Sequence, residues 1–254
     1  MPLNGLASKT VFALGLAGAS HAYAESVTDP ISTLGIIASH NQYTLEVDDE
    51  DSDKERLNQG GLFYTFGNKL TGEEGVIYQI GVEGQYNEKD EITYKSAKAE
   101  LDFGARAALS TNNYLDIVLG GGYDWGRQEQ EDVRIGIFEE DVQLTTKSPF
   151  AKAGLGYNYM TPNYTMRLEV GARYSINARS ELEIGDASDS VDLRDKVNPY
   201  GELSFLWNKG INNMPVSASL YYTQTRYQID SGSEVADETE LKQEQVGLKV
   251  GLAF

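Results

Sequence analysis

The chain has no cysteine. It can therefore build no disulfide framework, offers no thiol nucleophile, and gives an exported form no residue for a lipoprotein anchor. Histidine is nearly as scarce, with His21 and His40 as its two occurrences, so little is available for general acid–base chemistry. Beyond the N-terminus no apolar run approaches the roughly 20 residues that a membrane-spanning helix needs, which excludes helical spans. Positive charge is also in short supply. Lys and Arg number 21 against 39 Asp and Glu, a formal net charge of −18, which argues against nucleic acid as a partner.

The first thing present is a leader. Lys9 precedes the apolar run "VFALGLAGAS" at 11–20, and "AYA" at 22–24 supplies small residues where a signal peptidase cuts. Residues 1–24 are expected to be a cleaved secretory signal, and residues 25–254 a single barrel domain.

The second is alternation. In "VGLKVGLAF", Val246, Leu248, Val250, Leu252 and Phe254 share one face, while Gly247, Lys249, Gly251 and Ala253 share the other. The same period of two recurs along the chain, for example in Leu115, Ile117 and Leu119 and again in Met166, Leu168 and Val170, and gives ten rows in all. One face is apolar and the other polar or small, a poor match to a two-sheet sandwich and a good one to a barrel with lipid outside. The expected fold is an all-β, closed antiparallel transmembrane barrel of ten strands, with eight or twelve as the alternative counts.

The links between rows alternate in length. Short ones lie at 69–75, 110–113, 160–163 and 208–213, each rich in turn formers. Long ones lie at 46–56, 87–93, 128–147, 179–196 and 230–240 and hold 27 of the 39 acids. Short periplasmic turns and long acidic external loops follow from that pattern. Within two of the long links, 132–146 and 180–195, alternation continues around a central turn, which predicts β-hairpins prolonging the wall above the membrane.

Parity turns a set of charges inward: Glu83, Lys98, Glu100, Asp102, Arg106, Asp116, Asp124, Lys152, Arg167, Glu169, Arg173, Glu202 and Lys249. Buried charges must pair or stay wet. They form either a salt-bridged plug or the wall of a hydrated passage in which Arg106, Arg167 and Arg173 face acids and select ions.

With the leader, the even strand count, the tyrosine-rich strand ends and a last strand ending in Phe254, the chain resembles the small Gram-negative outer-membrane β-barrel proteins, the porin-like and opacity-type group. The resemblance implies export through the periplasm and residence in the outer membrane, with lipid and lipopolysaccharide around the barrel. It also implies that Val246, Leu248, Val250, Leu252 and Phe254 act as the signal read by the barrel-assembly machinery. A monomer is expected, because no segment reads as folding into the barrel. Activity does not follow from architecture, since such barrels host pores, adhesins, proteases and lipases. A lipase-type reading rests on Ser39, His40 and Asn41, which lack a third, orienting group. The acidic stretches at 48–53 and 186–192 lack the glycine and distal glutamate of an EF-hand loop, so no metal and no cofactor are expected. Two functions lead: a narrow porin-like channel or structural barrel with a charged lumen, whose cargo as a channel is a small solute or ion, and a surface adhesin acting through the acidic loops. An enzyme ranks below both.

Overall fold

The computed structural model describes residues 30–47, 50–89, 92–135, 138–185, 187–228 and 239–254. The expected signal at 1–24 and most of the acidic link at 230–240 lie outside the described residues. Twelve strands follow one another: β1 (Ile31–Val47), β2 (Glu50–Gly67), β3 (Gly75–Lys89), β4 (Ile92–Ser110), β5 (Asn113–Ile135), β6 (Phe138–Met160), β7 (Tyr164–Ser175), β8 (Arg179–Ile184), β9 (Ala187–Asp192), β10 (Val197–Ile211), β11 (Met214–Gln228) and β12 (Thr239–Ala253). Ten of them close antiparallel in the order β5-β4-β3-β2-β1-β12-β11-β10-β7-β6, with β6 returning to β5. The seam is the pairing of β1 with β12, from Thr33 opposite Ala253 to Val47 opposite Thr239. Closure leaves no open edge among these ten, which is what a bilayer requires of a sheet.

The remaining two strands are the expected hairpin. β8 pairs along the upper part of β6, from Lys147 opposite Arg179 to Val142 opposite Ile184, and β9 pairs with β8. The other expected hairpin is the shared upper end of β5 and β6, which pair as far as Ile135 opposite Phe138. The links at 46–56 and 87–93 are shorter than the sequence suggested, because β1 and β2 pair out to Val47 and Glu50, and β3 and β4 to Lys89 and Ile92. Above a membrane both faces of a strand meet water, so the apolar alternation that marks a strand fades while its ladder continues.

Outward-facing side chains form an apolar girdle. Ile36, Val76, Leu119, Leu155 and Leu220 are all more than half exposed, and the tail of β12 with Phe254 adds Val246, Leu248, Val250 and Leu252 to the same surface. At the short-turn end, Ile211 and Met214 flank a two-residue turn in which Asn212 and Asn213 have φ of 51° and 65°. Asparagine tolerates that left-handed geometry, and it matches the twist of the flanking strands.

One short turn does not stay outside. Between β2 and β3, the Asn68 carbonyl accepts from the amides of Thr71 (3.1 Å) and Gly72 (2.7 Å), and its side chain accepts from the Tyr78 amide at 2.8 Å. The turn this fixes reaches into the barrel, where Lys69 and Thr71 are buried and Leu70 packs on Ile31, Leu206 and Ala253. The expectation of no inward-folding segment is therefore corrected. Seven residues rich in Gly and Glu read as a plain solvent turn, and only the third dimension shows that Lys69 is close enough to the lumen acids to be drawn in.

Candidate functional site

Among the described residues, seven cations and seven carboxylates gather in the lumen below the level of the upper strand ends. Strand pleating delivers most of them: Lys98, Glu100, Asp102 and Arg106 alternate along β4, Asp116 and Asp124 lie on β5, Lys152 on β6, and Arg167, Glu169 and Arg173 on β7. Glu83, Glu202 and Lys249 come from β3, β10 and β12, and Lys69 from the inward turn.

The deepest group is built on Asp116. Arg106 approaches it with two nitrogens, Nε to Oδ1 at 2.7 Å and Nη2 to Oδ2 at 2.9 Å, and neither side chain has any exposed surface. This forked geometry is the strong form of an arginine–carboxylate pair. Arg167 donates to the same carboxylate and, at 2.6 Å, to Glu169. Asn158 joins all three, donating to Asp116 at 2.8 Å while its oxygen accepts from Arg106 at 3.1 Å and Arg167 at 2.9 Å. Arg106 also holds the inward turn through the carbonyls of Lys69 (2.7 Å) and Gly72.

A middle layer centres on Lys152, whose ammonium lies 2.6 Å from Glu100, 2.9 Å from Asp102 and 3.3 Å from Glu169. Lys69 pairs with Asp102 and, at 2.9 Å, with Glu169. Tyr200 donates to Glu169 at 2.9 Å, and its ring lies under the Lys152 ammonium at 4.8 Å. The upper layer has two parts. Glu83 sits between Lys249 (2.6 Å) and Lys98 (3.2 Å), both of which lie over the Tyr221 ring. Arg173 binds Glu100 at 3.0 Å and stands 3.9 Å from Asp124. Glu202 accepts from Ser204 at 2.9 Å.

The structure places all thirteen inward charges that parity selects on the lumen side, and ion pairs join twelve of them through β4–β7 and across to β3 and β12, while Glu202 has Ser204 as its hydrogen-bond partner. What parity cannot supply is Lys69, which belongs to a turn, and the neutral partners Asn158, Tyr200 and Tyr221, whose residue types carry no signal of charge. The layers leave a cavity of about 70 Å³ between them, lined by Thr33, Phe63, Lys69, Glu202 and Lys249 among others. That space admits a few waters and little else.

Above the upper layer lies a second, larger space of about 600 Å³. Glu83, Lys98, Asp124 and Arg173 make its floor; Tyr43, Tyr94, Tyr227, Leu144, Leu182, Val191 and Leu241 make much of its wall. Burial pushes the Tyr43 hydroxyl up to about 12, and the charge of Glu55 adds to the shift, so the ring keeps its proton at neutral pH. Tyr94 donates to Glu55 at 2.6 Å. On the outside of the same level, Glu129 ties Lys95 and Arg127 together, each at 2.5 Å.

The Ser39–His40–Asn41 candidate does not assemble. Ser39 points inward and donates to Gln85 at 2.6 Å, whereas His40 is exposed on the outer wall with its Nδ1 2.7 Å from Asn58. Adjacent residues of a strand face opposite sides, so the hydroxyl and the imidazole are separated by the barrel wall.

No protein-family model matches the chain, and neither does any curated protein. Solved structures do match. The outer membrane protease OmpT from Escherichia coli superposes with a TM-score of 0.57 at 9% sequence identity, over 90% of this chain and 97% of that one. OprG from Pseudomonas aeruginosa matches at 12% identity and a TM-score of 0.37, over 90% and 97% of the two chains. Ail, the attachment invasion locus protein of Yersinia pestis, matches in complex with sucrose octasulfate at 14% identity and a TM-score of 0.32, over 89% and 99%. At such identities the likeness is one of fold. Ten antiparallel strands closed on themselves, an apolar girdle outside and a charged lumen inside give this chain the fold of the Gram-negative outer-membrane β-barrels.

Proposed function

We propose that the protein is an integral outer-membrane barrel whose lumen is closed to diffusion: a structural barrel with a charged plug, open to the exterior as a cup. The observation that carries this reading is the continuous ion-pair network from Arg106 to Arg173, which fills the cross-section and leaves about 70 Å³. A channel that selects ions needs charges that are solvated and free to exchange partners. Here Arg106, Arg167 and Lys152 are each at most 5% exposed and each is held by at least one carboxylate. A barrel of about eight strands is filled by its own side chains, and ten strands with this much charge inside follow the same pattern. Residence in the outer membrane is supported by the girdle, since Val76 at 73% exposure and Leu119 at 62% are tenable on a large continuous surface only against lipid.

The test is conductance. Protein reconstituted in planar bilayers is expected to be silent, with insertion established separately by flotation with vesicles and by heat-modifiable electrophoretic migration. Discrete conductance steps from protein that inserts would overturn closure. They would favour a narrow channel through Arg106, Arg167 and Arg173 instead.

A further inference from the structure

We propose that the external cup is a binding site for a small hydrophobic cation, an ammonium or guanidinium group carried on an aliphatic or aromatic body. The proposal rests on the closed floor argued above, and on three further observations.

The first is size. At about 600 Å³ the cup falls in the range of about 300–1,000 Å³ that small-molecule sites occupy. The second is its wall. Register puts Leu144 opposite Leu182, and Val191 follows on β9 along the same inner face. These three are 37%, 41% and 36% exposed, and all line the cup rather than the lipid-facing girdle. Among the described residues, nothing buries them fully. A ligand's hydrocarbon would, and at about 25 cal/mol per Å² its burial is the main source of affinity.

The third observation is the floor. Glu83 and Glu100 each have a cation within 2.6 Å. Asp124 differs: among the described residues it accepts no hydrogen bond, the one cation within 4 Å is Arg173 at 3.9 Å, and its side chain is 33% exposed and lines the cup. Arg173 is spent largely on Glu100 at 3.0 Å, and Lys98, directly across from Asp124 on β4, bends to Glu83 instead. A carboxylate with open acceptor positions beneath an apolar wall calls for a donor that brings its own charge. Among the charged residues that line the cup, Glu55, Glu83, Asp124 and Asp189 stand against Lys95, Lys98, Arg127 and Arg173. Lys95 and Arg127 at its edge are both held by Glu129. Tyr43, Tyr94 and Tyr227 line the same space, and aromatic rings favour a cation over an anion.

The experiment compares three probes with one body: 4-phenylbutylammonium, 4-phenylbutanol and 4-phenylbutyrate. Each is titrated calorimetrically into the full chain in nanodiscs, with empty nanodiscs subtracted to remove partition into lipid. The ammonium should bind at least about tenfold more tightly than the alcohol, and the butyrate more weakly still. Asp124→Asn should bring the ammonium to the level of the alcohol. Because that change also disturbs Arg173, a second variant, Leu144→Ser, touches no charge and should weaken ammonium and alcohol alike by about three- to tenfold. Butyrate binding as tight as the ammonium, or ammonium binding untouched by both variants, would overturn the proposal. So would the absence of saturable binding by any probe at millimolar concentration. Conductance of the same preparation separates the two readings: steps together with binding remove the closed floor and leave the cation site, whereas silence without binding removes the cation site alone.

Discussion

Replacing Lys152 with methionine tests whether the lumen network carries the barrel. Methionine keeps most of the length of the side chain, one heavy atom short, and deletes the charge. The ammonium it removes is 2.6 Å from Glu100, 2.9 Å from Asp102 and 3.3 Å from Glu169, and the side chain is 2% exposed. Removing one partner of a buried pair costs about 3–5 kcal/mol, because the other charge is left buried and uncompensated. Lys69 still reaches Asp102 and Glu169, and Arg173 still reaches Glu100, which places the expected loss near the lower end, about 3 kcal/mol. With a urea slope of about 1–3 kcal/mol per molar, the unfolding midpoint should fall by at least about 1 M. The assay is equilibrium unfolding in phospholipid vesicles, followed by circular dichroism and by heat-modifiable migration. Lys152→Met combined with Asp102→Asn restores the balance of charge in the lumen and should recover a substantial part of the loss, as coupled neighbours do. A single variant within about 0.5 kcal/mol of the parent, or a double variant worse than the two singles added, would refute the reasoning.

Three further outcomes are expected. Glu129 accepts from Lys95, which holds its carboxyl below the usual carboxylate range; a group whose folded pKa is depressed stabilises above its unfolded value of about 4.3 and loses that contribution as pH falls through the folded value. A carboxyl-carbon NMR titration should therefore place Glu129 below that value, and Lys95→Met should move it up. Gly247→Val should destabilise by about 1–3 kcal/mol, since a Cβ there meets the Tyr221 ring held between Lys98 and Lys249, whereas Gly60→Val, with its nearest neighbour atom 4.0 Å away, should change little; equal unfolding midpoints for the two would contradict the packing described. Deleting Phe254 removes two seam hydrogen bonds with Ser32, each 2.9 Å, worth about 1–3 kcal/mol together; cellular levels of the heat-modifiable form should drop, and unchanged levels would count against a role for this strand in assembly.

The barrel was legible because lipid outside and charge inside impose one alternation on every strand, and that alternation survives in the sequence. Above the bilayer the rule lapses, and the upper parts of β1–β4 read as loops in the sequence for that reason. Parity assigns a charge to a face of the wall but cannot order charges in depth, because tilt and stagger decide which carboxylate meets which cation. Lys69 was missed on principle: pattern reading stops where strands stop. Ser39 and His40 show the converse, since side-by-side residues suggested shared chemistry that the pleat forbids.

The distribution of lumen charge along the chain has a consequence for how the protein enters a membrane. Lys98, Arg106, Lys152, Arg167 and Arg173 all lie on β4–β7, and so do Glu100, Asp102, Asp116, Asp124 and Glu169. The lumen charges of these four consecutive strands are therefore five of each sign, and each strand pairs with its sequence neighbour. Such a sheet can curl around its own polar face and present a nearly neutral concave side while the rest of the chain is still unpaired. Nine of these ten charges have an ion-pair partner within the four strands, while Lys98 pairs with Glu83 on β3, and an unpaired charge costs about 2–4 kcal/mol at the midplane.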